Sequence, residues 1–170
     1  FIEFADDPTS AVALVAGNDR VIVLRSMTKL YAIPGLRLGY LVASKGVVAQ
    51  LAHALEPWSV SGPAAAVGMA CLAQPESWRE QIRAALRAQR LLLEQGLGAI
   101  SGFDVFKSSA NFIMFAAPAL SRPFTAHLRA DGIVVRDLAA LPGAGPGLYR
   151  AAVRAPADND RLLDAARSYR

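Results

Sequence analysis

Residues 21–25, Val-Ile-Val-Leu-Arg, are a β-branched run that predicts a short buried strand. The polar turn Ser26-Met27-Thr28-Lys29 follows it, and Pro34 and Gly35 break the next loop. Apolar residues return at 38–43, Leu-Gly-Tyr-Leu-Val-Ala, as a second predicted strand. Ser44 is placed to cap a helix over 45–55, which Pro57 ends. After the connector 58–63, Trp-Ser-Val-Ser-Gly-Pro, an Ala-rich helix opens at Pro63 and runs to about Ala73.

The longest helical pattern covers 76–95. Its apolar positions include Ile82, Leu86 and Leu93, and Gly96 and Gly98 are its expected stop. Beyond it, 103–106 and 111–115 predict strands, 123–130 a helix stopped near Gly132, and 133–136 another strand. A Gly/Pro-rich loop, 142–147, leads into a strand over 148–154. Asp158 or Asn159 is expected to cap a last helix ending at Tyr169. The first third thus predicts an α/β layer and the rest a small α+β unit, with helix 76–95 as the bridge.

Composition narrows the function classes. The 170 residues suffice for one good core or two small ones. Hydrophobic residues make up 54%, much of it alanine, and no apolar run approaches the roughly 18 residues of a membrane span. The opening Phe-Ile-Glu-Phe-Ala-Asp-Asp has neither the basic start nor the apolar middle of a signal peptide. A cytoplasmic protein is the expectation, and the missing initiator methionine predicts a piece of a longer polypeptide. Cys71 reads as a small buried helix residue, not a nucleophile. The net charge is +4, but Arg79, Arg83, Arg87 and Arg90 recur at helical spacing beside Glu80 and Glu94. That is the pattern of a solvated helix face, so neither nucleic acid nor membrane is expected as a partner. His53 and His127 are isolated helix-surface residues, and no metal site is predicted. No Gly-x-Gly-x-x-Gly follows a strand, which argues against a dinucleotide-binding module.

The chemistry concentrates in 25–40, Arg-Ser-Met-Thr-Lys-Leu-Tyr-Ala-Ile-Pro-Gly-Leu-Arg-Leu-Gly-Tyr. A lone lysine, Lys29, sits between two apolar strands, with hydroxyls at Ser26 and Thr28 and a guanidinium at Arg37. A buried lysine is costly unless paired or reactive, and desolvation makes it a usable amine nucleophile. Ser, Thr and Arg donors around it suit a phosphate. An amine beside phosphate donors is what a phosphate-bearing aldehyde cofactor requires. From spacing alone, a plain surface loop accounts for these residues equally well.

Ser-x-x-Lys followed by Gly-x-Arg-x-Gly, with lysine and arginine eight apart, resembles the signature of class I/II aminotransferases, which use pyridoxal 5'-phosphate (PLP). The resemblance implies that Lys29 is the catalytic residue and binds PLP covalently, with Ser26 and Arg37 holding its phosphate. It implies an α/β fold, with residues 1–75 the C-terminal part of the large domain of a type I PLP transferase. Residues 76–170 would be the small α+β domain with its bridging helix. Relatives carry Asp-x-Ala-Tyr shortly before the lysine loop, and Phe1 resembles the residue following that Asp-x-Ala triplet. The strand Tyr-Arg-Ala-Ala-Val-Arg resembles the family's arginine strand, which implies that Arg150 pairs with a substrate α-carboxylate. Arg154 would share its face. Arg136 is implied as a further substrate anion donor, while Arg25 reads as a strand cap. Asn111 matches a position near the family's active site, and a structural role there is equally open.

Within the family, Tyr31-Ala32-Ile33-Pro34, Pro57-Trp58-Ser59-Val60 and the C-terminal strand are most similar to the L-threonine-O-3-phosphate decarboxylases of cobalamin biosynthesis. That implies a carboxy-lyase acting on a phosphorylated amino acid, and a homodimer. Histidinol-phosphate aminotransferase, or a related aminotransferase, is the alternative. A third possibility is an inactive fragment kept for binding or dimerisation.

Overall fold

A computed structural model describes residues 1–170. The chain forms two compact units, one of Phe1–Glu3 and Asp7–Glu80, the other of Phe4–Asp6 and Gln81–Arg170.

The first unit is built on an antiparallel hairpin of β1 (Val23–Ser26) and β2 (Gly39–Val42). Its register runs from Val23 opposite Val42 to Ser26 opposite Gly39. Both strands are a residue or two shorter than the apolar runs predict. Helices α1 (Lys45–Ala54) and α2 (Gly62–Leu72) follow. Ser44 stands at the N-cap of α1, but its hydroxyl caps nothing and is buried without a partner. Ser61 does cap α2, accepting from the Ala64 amide, with a proline in the first turn. The small core holds Met27, Leu30 and Ala64. Cys71 is only half-buried.

Helix α3 runs from Glu76 to Gly98, so Gly96 and Gly98 lie inside it and do not stop it. The reason is packing. A Cβ at Gly96 would meet Leu163 at 2.7 Å, so a glycine there lets another helix approach. The arginine pattern on α3 is a solvated face only in part: Arg87 is exposed, but Arg90 is not. Arg90 is 1% exposed. It donates to Asp6 at 3.1 Å and to the Ala110 carbonyl at 3.3 Å. Asp6 is half-exposed, so the pair is only partly screened from water, and Arg90 ties Asp6 and the Ala110 carbonyl to α3 as a structural anchor of the second unit.

That unit has a four-stranded antiparallel sheet in the order β3 (Asp104–Phe106), β4 (Phe112–Ala116), β6 (Leu148–Ala152), β5 (Arg136–Asp137). Alternation sends Ile113, Phe115, Tyr149 and Ala151 into the core. They pack with Leu93 and Leu97 of α3, with Phe124 and Leu128 of α4 (Phe124–Ala130), and with Leu162, Leu163 and Ala166 of α5 (Pro156–Ser168). Phe124 sits edge-on to Phe103, Phe115 and Tyr169, with ring centroids 5.0 to 5.9 Å away.

Two expectations change here. The last helix starts at Pro156 with Ala155 as N-cap, not at Asp158 or Asn159. Asn159 is buried and brackets the end of β6 instead. Its Oδ1 accepts from the Arg154 amide at 3.0 Å, and its Nδ2 donates to the Arg154 carbonyl and to Gln89. His127 is not a free surface residue. Its Nε2 lies 2.8 Å from the Ala165 carbonyl, and its ring packs on Tyr169. No helix is long and apolar enough to cross a membrane.

Leu97 is fully buried. Leu97→Ala is expected to cost about 2–5 kcal/mol, read as a lower urea midpoint with an unchanged slope.

Candidate active site

The residues expected to hold a cofactor all lie on or beside the loop that joins β1 to β2. Ser26 ends β1 and faces Gly39 across the hairpin. A Cβ at Gly39 would lie 2.7 Å from the Arg25 carbonyl oxygen, so only glycine allows this closure without backbone movement. The Met27 amide donates to the Leu38 carbonyl at 3.2 Å, which extends the closure by one step. Helix α2 packs under it. A Cβ at Gly68 would strike Leu38 at 2.5 Å.

The turn within this loop is hydrogen-bonded. The Ala32 amide donates to Lys29 O at 3.2 Å and the Ile33 amide to Thr28 O at 3.1 Å. Two of its residues take left-handed backbone, Ala32 at φ 52 and Arg37 at φ 51. Such non-glycine residues cost about 1–2 kcal/mol each and persist where the surroundings fix them.

Ser26 and Thr28 hydroxyl oxygens lie 2.9 Å apart, and the Thr28 amide lies 3.4 Å from Ser26 Oγ. Thr28 is buried and Ser26 is exposed. When Thr28 donates, the Ser26 proton is left to point outward at an anion. Arg37 is exposed and donates one N–H to the Pro34 carbonyl at 3.0 Å. A guanidinium has five N–H donors, so the rest remain for a phosphate.

Lys29 is exposed, which corrects the expectation of a desolvated amine in this chain. Met27, Thr28 and Leu30 take the interior positions around it, so the turn is anchored on both sides while the lysine stands outward. A hydroxyl, a guanidinium and an amine on one hairpin loop nevertheless fit a phosphate-bearing aldehyde. Arg25, read as a strand cap, donates to Ser10 Oγ at 2.8 Å and lies 3.8 Å from Glu3.

The second unit carries the other two candidates, and its register brings them together. Arg136 on β5 stands directly opposite Arg150 on β6. Both lie on the sheet face away from the core, because Tyr149 and Ala151 point inward. The Arg150 guanidinium carbon lies 4.9 Å from the centre of the Phe112 ring, a cation–π contact that holds its stem in place. Like charges directly opposite on adjacent strands repel. Arg154 does not join them. The strand ends at Ala152, and Arg154 pairs with Asp158 at 2.8 Å. Asn111 receives the Val153 amide on its carbonyl at 3.0 Å, while its Oδ1 is buried without a partner.

Sequence reasoning missed the hydrogen bond between the Ser26 and Thr28 hydroxyls. Adjacent hydroxyl residues were the only signal for it.

The family model for aminotransferase class I and II matches residues 1–166. The chain belongs to the class I and II aminotransferase family. It is 35% identical to the threonine-phosphate decarboxylase of Salmonella typhimurium over 169 residues, which covers 99% of this chain and 46% of that protein. It is 32% identical to the histidinol-phosphate aminotransferase of Methanosarcina mazei, covering 97% of this chain and 43% of the relative. The crystal structure of the histidinol-phosphate aminotransferase from Clostridium acetobutylicum superposes with a TM-score of 0.88 at 26% identity, over 98% of this chain and 51% of that one. The chain therefore spans about half the length of the relatives it matches. Its mixed helix and strand architecture is the fold of this family.

Two outcomes follow from the geometry. Gly39→Ala should destabilise the first unit by about 1–3 kcal/mol, because the new methyl meets backbone, and the denaturation midpoint reads it. Arg136→Gln should raise stability by up to about 1 kcal/mol at low salt by relieving the repulsion with Arg150. That gain should shrink in high salt, and a midpoint series against ionic strength checks it.

Proposed function

We propose that this chain is the lysine-bearing half of a PLP-dependent carboxy-lyase. The reaction is the decarboxylation of L-threonine O-3-phosphate to (R)-1-amino-2-propanol O-2-phosphate and carbon dioxide. The observation that carries the cofactor reading is the set of Ser26, Lys29 and Arg37 on one closed hairpin loop. The identity to the Salmonella decarboxylase and the wording of 31–34 and 57–60 support the substrate.

When bound, PLP draws the electron pair of a broken bond at the substrate α-carbon into its ring. Ser26 and Arg37 hold the cofactor phosphate, charge-assisted on the arginine side. Lys29 would hold the cofactor, and its amine, when protonated, would be the acid that supplies a proton to the α-carbon after carbon dioxide leaves. Arg150 grips the α-carboxylate and Arg136 the substrate phosphate. On this reading the two anchors would help select which bond at the α-carbon breaks.

A second reading, histidinol-phosphate aminotransferase, is favoured by the likeness to the Methanosarcina and Clostridium enzymes. It uses the same loop but moves the α-proton. Its first substrate has an amine and a phosphate and no carboxylate.

The test uses the whole protein with PLP. Threonine phosphate should release one carbon dioxide per turnover, and Lys29→Ala should abolish the visible cofactor band and cut turnover about a hundred- to ten-thousandfold. Amino transfer from histidinol phosphate to 2-oxoglutarate, with no carbon dioxide from threonine phosphate, would select the second reading. A protein with no cofactor band at all would sink both.

A further inference from the structure

The turn that carries Lys29 is held from the side by residues that the proposed chemistry does not use. Tyr31 lies two residues beyond the lysine. Its ring stacks flat on Trp78, at a centroid distance of 5.5 Å and an interplanar angle of 6°. Its phenolic oxygen accepts a hydrogen bond from Arg79 Nε at 3.3 Å. Arg79 is itself fixed, since its other nitrogen bonds Glu76 Oε2 at 2.8 Å. The bonds to Glu76 and Tyr31 push the Arg79 pKa up, so the guanidinium keeps its charge at every working pH.

The residue after Tyr31 is Ala32, held at φ 52. Left-handed backbone at alanine needs an external hold. The hydrogen bonds inside the turn are of ordinary or long length, the Tyr31 amide lying 3.4 Å from Met27 O. Burial of Met27, Thr28 and Leu30 turns the lysine outward, and the aromatic stack on the neighbouring residue adds a further restraint, because a flat ring on a flat ring restricts both tilt and translation.

We propose that Tyr31, Trp78 and Arg79 are positioning residues for Lys29, a clamp that sets where the amine stands relative to the Ser26 and Arg37 donors. The functional consequence rests on the PLP reading above, while the clamp itself does not.

The experiment has two arms, both on the whole protein. Without cofactor, amide hydrogen exchange at Ala32 and Ile33 is compared for wild type, Trp78→Ala, Trp78→Phe and Tyr31→Phe. Trp78→Ala should speed exchange at both amides about five- to tenfold, the range a lost aromatic stack supports. Trp78→Phe should recover most of the protection, and Tyr31→Phe, which keeps the stack and loses the acceptor, should fall between. With PLP, Trp78→Ala should weaken cofactor binding by a similar factor and move the pH midpoint of the visible band. It should also lower kcat with little change in KM. Exchange within twofold of wild type in Trp78→Ala overturns the clamp. So does faster exchange with unchanged PLP affinity, band midpoint and kcat, since the turn would then not position the amine. Tyr31→Phe tests the hydrogen bond separately should Trp78→Ala fail to fold. The exchange arm needs no cofactor, so a wild type that takes up no PLP would sink the functional reading and still leave the clamp to be decided.

Discussion

The first unit depends on one close approach, Gly39 against the Arg25 carbonyl oxygen. It sets the last pair of the hairpin, Ser26 opposite Gly39, and thereby where the loop between them begins and ends. Ser26 stands at one end of that loop, and Arg37 is two residues from the other. Without the closure the two residues proposed as phosphate donors would sit on a flexible connector, and each would have to be ordered separately at an entropic cost. With it, a short hairpin pre-sets both. The packing of α2 against Leu38 through Gly68 is the same device repeated, a missing side chain that lets backbone come close.

The second unit solves a different problem. Its sheet buries one face and leaves the other open, and strict alternation along β4 and β6 does both. Ile113, Phe115, Tyr149 and Ala151 take one side, while Phe112, Met114 and Arg150 take the other. A one-residue slip would put Arg150 into the aromatic core, so the register is strongly enforced by burial. Asn159 supports the same register from behind, by pinning both backbone groups of Arg154 where the strand ends.

What could be read in the sequence follows the length scale of each signal. Most strands and helices announced by local apolar runs are present with ends shifted by a residue or more, but the run 133–136 is strand only at its last residue, in β5. The lysine loop was legible because its motif is contiguous. Features decided by distant residues were not. Gly96 carries a stop signal locally, and only Leu163 explains why the helix continues through it. Arg90 belongs to a periodic arginine pattern that reads as solvated, and only Asp6, far away in the chain, makes it a core residue. Asn159 has the chemistry of a cap and is used as a bracket. Lys29 was expected to be buried because its flanks are apolar, yet those flanks fill the interior and turn the lysine outward.

The arginine pair shows how a local conflict can indicate purpose. Arg136 and Arg150 occupy paired positions on neighbouring strands, where like charges weaken a sheet by a few tenths of a kcal/mol or more. The Phe112 ring offsets part of this for Arg150 by a cation–π contact, and it also fixes the guanidinium stem. A fold selected for stability alone has cheaper residues for an exposed strand pair. Under the proposed function a doubly charged substrate would relieve the repulsion, so the same two residues would cost stability without it and contribute affinity with it.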